Sequence, residues 1–284
     1  MVRSPDHLDS TVGDNVLLSK SAGAHEHPRS SQRRRGAQRP RQGFLRVFVQ
    51  LLGELLITAG IVLLLFVAWE LWWTNIAANS AQEEAVSQFA QDFQGPVAPP
   101  APDAPADYGP PVVTAAPEAP NTVFGVAFIP RFGDTYSRPL VEGVGQAQLD
   151  TLGLGRYDSS AMPGEVGNFA VAGHRQTHGA VLDSIHTLVP GDKIYIQTKD
   201  GYYTYVFRNN QIVLPTRADV LWPVPTQKDV VPTERFLTLT SCNPRFGAEE
   251  RIIAYSVLES WQPVGAGPPV AIAEQVAANQ KQKG

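Results

Sequence analysis

From Leu51 to Trp73 the chain is almost continuously apolar, with Glu54 and Glu70 as the charged residues in the run. A helix needs about 20 such residues to cross the hydrocarbon core of a bilayer, and this stretch reaches that length. It predicts a transmembrane helix. Trp69, Trp72 and Trp73 gather at its far end, where aromatic belts sit at the membrane–water interface. Both glutamates fall near the ends of the run, where a carboxylate reaches the headgroup layer at far lower cost than at the centre. Arg29, Arg33, Arg34, Arg35, Arg39, Arg41 and Arg46 precede the run, and no Lys or Arg follows until Arg131. Basic residues stay on the cytoplasmic side, so the N-terminus is expected inside and everything after Trp73 outside. The net charge of −4 hides this asymmetry, which orients the chain in a membrane and gives no reason to expect nucleic-acid binding. The alternative is a cleaved export signal, with Ala77-Ala78-Asn79-Ser80-Ala81 supplying small residues. The apolar run is long for a signal, and three Trp residues precede the small ones, which favours a retained anchor.

Composition divides the rest. Residues 1–43 are rich in Ser, Arg, His, Gly and Gln without hydrophobic periodicity, and are expected to be a disordered basic cytoplasmic tail. His7, His25 and His27 lie there as solvated side chains. The anchor occupies 44–73, within which 51–73 cross the membrane. Residues 74–121 open as a polar helix from Ile76 to Phe93 and continue as a Pro/Ala-rich linker from Gly95 to Pro120. Such a linker is stiff and extended, which makes it a spacer. From 122 to 262 the sequence changes to short β-branched and aromatic runs divided by Gly and Pro: Thr122–Ile129, Asn168–Ala172, Lys193–Thr198, Tyr202–Leu214, Phe236–Cys242 and Arg251–Leu258. That pattern predicts a mainly antiparallel barrel or sandwich, with small helices at 146–152 and 180–185. Residues 263–284 are expected to be a flexible tail.

Cys242 is the chain's single cysteine, so it cannot form an intramolecular disulfide. It closes the strand Arg235–Cys242, and Pro244 ends that strand because proline cannot donate to a sheet ladder. A thiol at a strand terminus faces a groove. Buried free cysteine is common and usually inert, so further residues have to decide. Asn168-Phe169-Ala170-Val171-Ala172-Gly173-His174 is an apolar strand ending in Gly-His, which puts an imidazole at a second strand terminus. Arg251 opens the last strand and is placed to reach across the groove, or else to pair at the surface with Glu249 or Glu250. A thiol, an imidazole and a guanidinium converging on one groove suggest nucleophilic catalysis.

These residues resemble a known family. Thr238-Leu239-Thr240-Ser241-Cys242 resembles the sortase signature Thr-Leu-x-Thr-Cys, with Ser in place of Thr at the fourth position. Gly173-His174-Arg175, followed by His178-Gly179, resembles the segment around the sortase histidine, and Arg251 resembles the sortase arginine. The likeness runs from about Val123 to Leu258. The short interval from Cys242 to Arg251, the Cys242-Asn243-Pro244 step and the anchor with its spacer look most like class E sortases of high-GC Gram-positive bacteria. The resemblance implies an eight-stranded sortase-type β-barrel and a cysteine transpeptidase with Cys242, His174 and Arg251 as catalytic residues. It implies secreted partners that carry an LAxTG- or LPxTG-like sorting motif, and a lipid II or peptidoglycan amine as acceptor. It implies no cofactor.

Tyr157 is expected by resemblance to contact the sorting motif, or else to be an ordinary packed tyrosine. Thr240 and Ser241 are candidate substrate contacts, and Thr240 is equally a β-branched strand residue. His178 lines the groove or is a solvated turn residue, while His186 is structural. No metal site is expected, since the acidic residues early in the domain are scattered without EF-hand spacing. The rival from another class is a non-catalytic envelope module that binds a peptide or scaffolds an assembly, with Cys242 a spectator.

Overall fold

The computed structural model describes residues 43–93 and 107–281. The basic tail, with its three histidines, and much of the Pro/Ala-rich linker lie outside the described residues. The chain divides into two units, Met1–Leu55 and Leu56–Gly284, and the contacts given below belong to the second. The first described element is α1, Phe44–Asp92, a helix of 49 residues long and apolar enough to cross a membrane. Its apolar side chains are exposed along the expected span, including Leu55, Leu64 and Trp72. Beyond Trp73 the helix becomes one-sided: Ala78, Gln82, Val86 and Phe89 are buried at helical spacing. The polar continuation expected after Ile76 is thus part of the same helix and has a packed face.

Eight strands follow: β1 Val123–Phe128, β2 Ser137–Glu142, β3 Leu154–Arg156, β4 Gly167–Ala172, β5 Lys193–Thr198, β6 Gly201–Val213, β7 Arg235–Asn243 and β8 Glu250–Pro263. They close into a barrel in the order β1-β2-β3-β4-β7-β8-β6-β5. The expected eight-stranded, mainly antiparallel barrel is present, with β2–β3 and β4–β7 as the parallel pairs. Two strands, β2 and β3, were not among those read from the sequence. β2 carries Pro139 and is buried on both faces over its last four residues, so it shows no alternation; β3 is three residues long. The helix α2, Gln146–Thr151, lies where a helix was expected. The segment 180–185, expected to be helical, instead holds a 3-10 turn at Asp183–Thr187. A helix cannot include Ala180 or the three residues before it, because Thr177, His178, Gly179 and Ala180 all have positive φ, from 46° to 84°.

Alternate residues of the strands fill the barrel: Phe169, Val171, Leu237, Leu239, Ile252 and Ala254 face the main core. Tyr205 is fully buried there, and its hydroxyl accepts a hydrogen bond from Gly164 N at 2.9 Å while burial pushes its pKa up. A second apolar cluster lies outside the barrel, where Val86 and Phe89 of α1 meet Val126, Phe128, Tyr195 and Tyr202. Ile272 and Val276 belong to it as well. Val276 sits on α3, Ala273–Lys281, so the described part of the 263–284 tail is helical and packed, contrary to the expectation of flexibility. The apolar positions of that short helix are too few to reveal a packed face in sequence. The end of the linker is also held: Trp261 Nε1 donates to Gly109 O at 2.7 Å, and Thr114 Oγ1 lies 2.8 Å from Thr198 Oγ1. At Gly109, Val112 and Thr114 the segment is therefore held against the barrel.

Placing a charge in the second cluster tests this packing. Val276→Asp is expected to cost about 2 kcal/mol or more, because the carboxylate would be buried without a partner. Urea unfolding of the detergent-solubilised chain reads this, and an unchanged midpoint would show that α3 does not pack on the barrel.

Candidate active site

The site follows from two strand registers. β4 and β7 run parallel with Ala172 opposite Thr240, and β7 and β8 run antiparallel with Cys242 opposite Arg251. Two residues beyond Ala172, His174 is therefore level with Cys242. The parallel pairing extends that far: Gly173 N donates to Thr240 O at 3.1 Å, and Ser241 Oγ donates to Gly173 O at 2.7 Å. Because side chains alternate, the residues in step with Cys242 face away from the barrel core. Thr238, Thr240 and Cys242 share that outer face with Arg251, Ile253 and Tyr255.

Exposure rises along this face. At its closed end Thr238 is fully buried and donates to Asn168 Oδ1 at 2.7 Å. Asn168 Nδ2 in turn donates to the carbonyls of Val220 and Trp222, both at 3.1 Å, so residues 220–222 roof this end. Thr240 is buried and Cys242 is half-buried. The thiol thus stands where the roof has ended.

The surrounding side chains are held individually. His174 Nε2 lies 2.7 Å from Asp150 Oδ1, and His178 Nδ1 lies 3.7 Å from the same oxygen. The two imidazole centroids are 5.3 Å apart, which brings His178 into the site. Arg251 is held by backbone: its Nη1 donates to Ala248 O at 2.9 Å and to Glu250 O at 2.8 Å. Glu250, a candidate surface partner for Arg251, instead accepts from Asn243 Nδ2 at 2.7 Å. Tyr157 and Thr240, both expected substrate contacts, are in contact with each other through hydroxyls 3.0 Å apart. Ser241 is buried, with its hydroxyl committed to Gly173 O. His186 stands apart on the 3-10 turn, with Nδ1 3.1 Å from Asp183 O.

Two participants were missed from sequence. Asp150 sits on α2, 24 residues before His174, and no local spacing links them. Arg175 was visible only as part of the Gly-His-Arg segment. It is 6% exposed, and its Nη1 donates to Cys242 O at 3.3 Å and to Asn243 Oδ1. A guanidinium bridging these acceptors fixes the chain just after the thiol.

The loop carrying His178 is also braced from α1. Gln82 Nε2 donates to His178 O at 3.2 Å, and Gly179 N donates to Asn75 Oδ1 at 2.9 Å. A Cβ on Gly179 would come 2.8 Å from Gln82 Nε2, and φ there is +84°, so glycine suits the position on both counts.

A closed eight-stranded barrel in which strand register sets a half-buried cysteine level with a histidine and opposite an arginine is the architecture of a sortase domain. The sortase-domain family profile matches residues 128–259. Sortase SrtE2 of Streptomyces coelicolor is 30% identical over 234 residues, covering 79% of this chain and 87% of that protein. Sortase SrtE1 of the same organism is 32% identical over 246 residues, covering 84% of this chain, and the chain spans 65% of its length. A solved structure, the SrtA sortase from Actinomyces oris, superposes with a TM-score of 0.55 at 32% identity, covering 59% of this chain and 96% of that one. The chain belongs to the sortase family and is most like its class E members.

Arg175→Ala removes donors from two acceptors beside the thiol and is expected to lower stability by about 1–3 kcal/mol. Arg175→Lys, which keeps the charge but loses the planar fork, should recover only part of this. Thermal unfolding of both variants makes the comparison; full recovery by lysine would show that charge alone matters here.

Proposed function

We propose that the chain is a membrane-anchored cysteine transpeptidase that cleaves an LAxTG- or LPxTG-like sorting motif between Thr and Gly and passes the acyl group to a cell-wall amine. The observation that carries this reading is the row His174, Cys242, Arg251 across three adjacent strands, set by the β4–β7 and β7–β8 registers. The Cys242 thiolate attacks the motif's Thr carbonyl carbon and forms a C–S bond. Arg251, anchored by Ala248 O and Glu250 O, supports the negative charge that develops on the carbonyl oxygen. As the tetrahedral intermediate collapses, the C–N bond breaks and His174 gives its proton to the departing glycine amine. An acceptor amine from lipid II or peptidoglycan then attacks the thioester and returns a proton to His174. Thiolate and imidazolium are restored with no net redox change.

Asp150 holds His174 through Nε2, which leaves Nδ1 as the ring nitrogen that meets substrate. The Tyr157–Thr240 pair lies two residues before the nucleophile on the same face and is placed to contact the bound motif. In this reading residues 51–73 cross the plasma membrane, the Arg-rich segment lies in the cytoplasm, and the barrel faces the cell wall. Secreted proteins bearing the sorting motif are the partners.

Cys242→Ala should reduce transfer of a Leu-Ala-x-Thr-Gly peptide to an amine by a factor on the order of 10³ or more, and Arg251→Ala by about 10²-fold. Chromatographic turnover assays on the full chain measure both, with parallel Ala and Pro peptides ranking the second motif position. Undiminished turnover in Cys242→Ala would return the barrel to the binding-module reading.

A further inference from the structure

Asp150, His174 and His178 bring one carboxylate oxygen and two ring nitrogens within 4.8 Å of one another. We propose that these three residues form an inhibitory binding site for a borderline divalent transition cation, with Zn²⁺ as the fitting member. The donor set is the kind that holds Zn²⁺: two imidazoles and a carboxylate, with a fourth position left over. At zinc-to-ligand distances of about 2.0–2.2 Å, tetrahedral ligands stand about 3.4 Å apart. Here Asp150 Oδ1 is 2.7 Å from His174 Nε2 and 3.7 Å from His178 Nδ1, and all three atoms lie within 4.8 Å of one another, so modest side-chain shifts, with release of His178 Nδ1 from Thr177 Oγ1 at 3.0 Å, create the cage.

The ligands are half-buried, with side-chain exposures of 23% for Asp150, 29% for His174 and 30% for His178, so a hydrated ion can enter. They are also held in place from outside the cluster. Gln82 and Asn75 of α1 fix the backbone of His178 and Gly179, which keeps the second imidazole over Asp150. Such supporting contacts separate a ligand set that is already oriented from one that must be assembled. Water is the natural fourth ligand at such an open position.

Zn²⁺ bound here would take the place of a proton on His174 Nε2, the nitrogen that Asp150 now holds. A metal-bound ring cannot be an imidazolium, so its Nδ1–H would be too weak an acid to protonate the leaving amine. This consequence rests on the proposed catalytic role of His174; the binding itself does not.

The test is competition for Zn²⁺ between the detergent-solubilised full chain and a chromophoric chelator. His7, His25 and His27 are replaced by alanine in every sample so that the basic tail contributes no ligands. One Zn²⁺ per chain is expected, with affinity falling about tenfold or more in both Asp150→Asn and His178→Ala. Co²⁺ in place of Zn²⁺ should give tetrahedral visible bands. Peptide turnover by the same chain should fall on adding Zn²⁺ and return with EDTA. Less than one equivalent bound, or equal affinity in either variant, would overturn the site. Tight binding to a chain that shows no turnover would leave the site standing and remove the transpeptidase reading instead.

Discussion

The parallel pairing of β4 with β7 is the constraint on which the site depends. These strands are far apart in sequence, and their register alone decides which residue stands beside the cysteine. With Ala172 opposite Thr240, the Gly-His step that follows β4 falls level with Cys242; a slip of one residue would turn Cys242 toward the barrel core. The register is specified from both faces. Inside, Phe169, Val171, Leu237 and Leu239 interdigitate in the main core. Outside, the Asn168–Thr238 hydrogen bond and the roof over it fix the closed end. Ser241 then ties β7 to Gly173 at the open end, so the histidine cannot drift along the groove.

The same site draws on elements remote from the barrel's chemistry. α1 serves as more than a tether, because beyond its exposed apolar span it packs Val86 and Phe89 on the barrel and sends Asn75 and Gln82 to the loop of His178. That loop runs through four consecutive left-handed residues, a costly conformation that persists only when its neighbours over-determine it. Removing the helix would take away two of those neighbours. A barrel without α1 and the full chain therefore hold the His178 loop differently.

What the sequence disclosed divides along the same line. Long, strongly patterned segments were legible: the apolar run that forms a helix long enough to cross a membrane, the strands at 193–198 and 201–213, and the strand ends at His174 and Cys242 that terminate in glycine and just before proline. The strand partners were not written locally. β2, with Pro139 and two buried faces, has no period to read, and three-residue β3 exists only because β2 and β4 flank it. Asp150 and Arg175 were missed because their roles arise from tertiary closure: one meets His174 from a separate helix, and the other reaches the backbone after Cys242 across the β4–β7 pair. The tail was misread because a short Ala/Gln/Lys segment has little apolar surface of its own. It becomes ordered by covering Val126 and Phe128.

The central claim is that the outer-face row makes Cys242 the nucleophile of an acyl transfer. Mass spectrometry of the full chain, mixed with a Leu-Ala-x-Thr-Gly peptide without acceptor amine and quenched in acid, tests this directly. The tryptic fragment containing Cys242 is expected to gain the mass of the peptide up to its Thr, less the water lost in acylation, and hydroxylamine to remove it. Peptide cleavage with the acyl group on any other residue, or with Cys242 never modified, would contradict it.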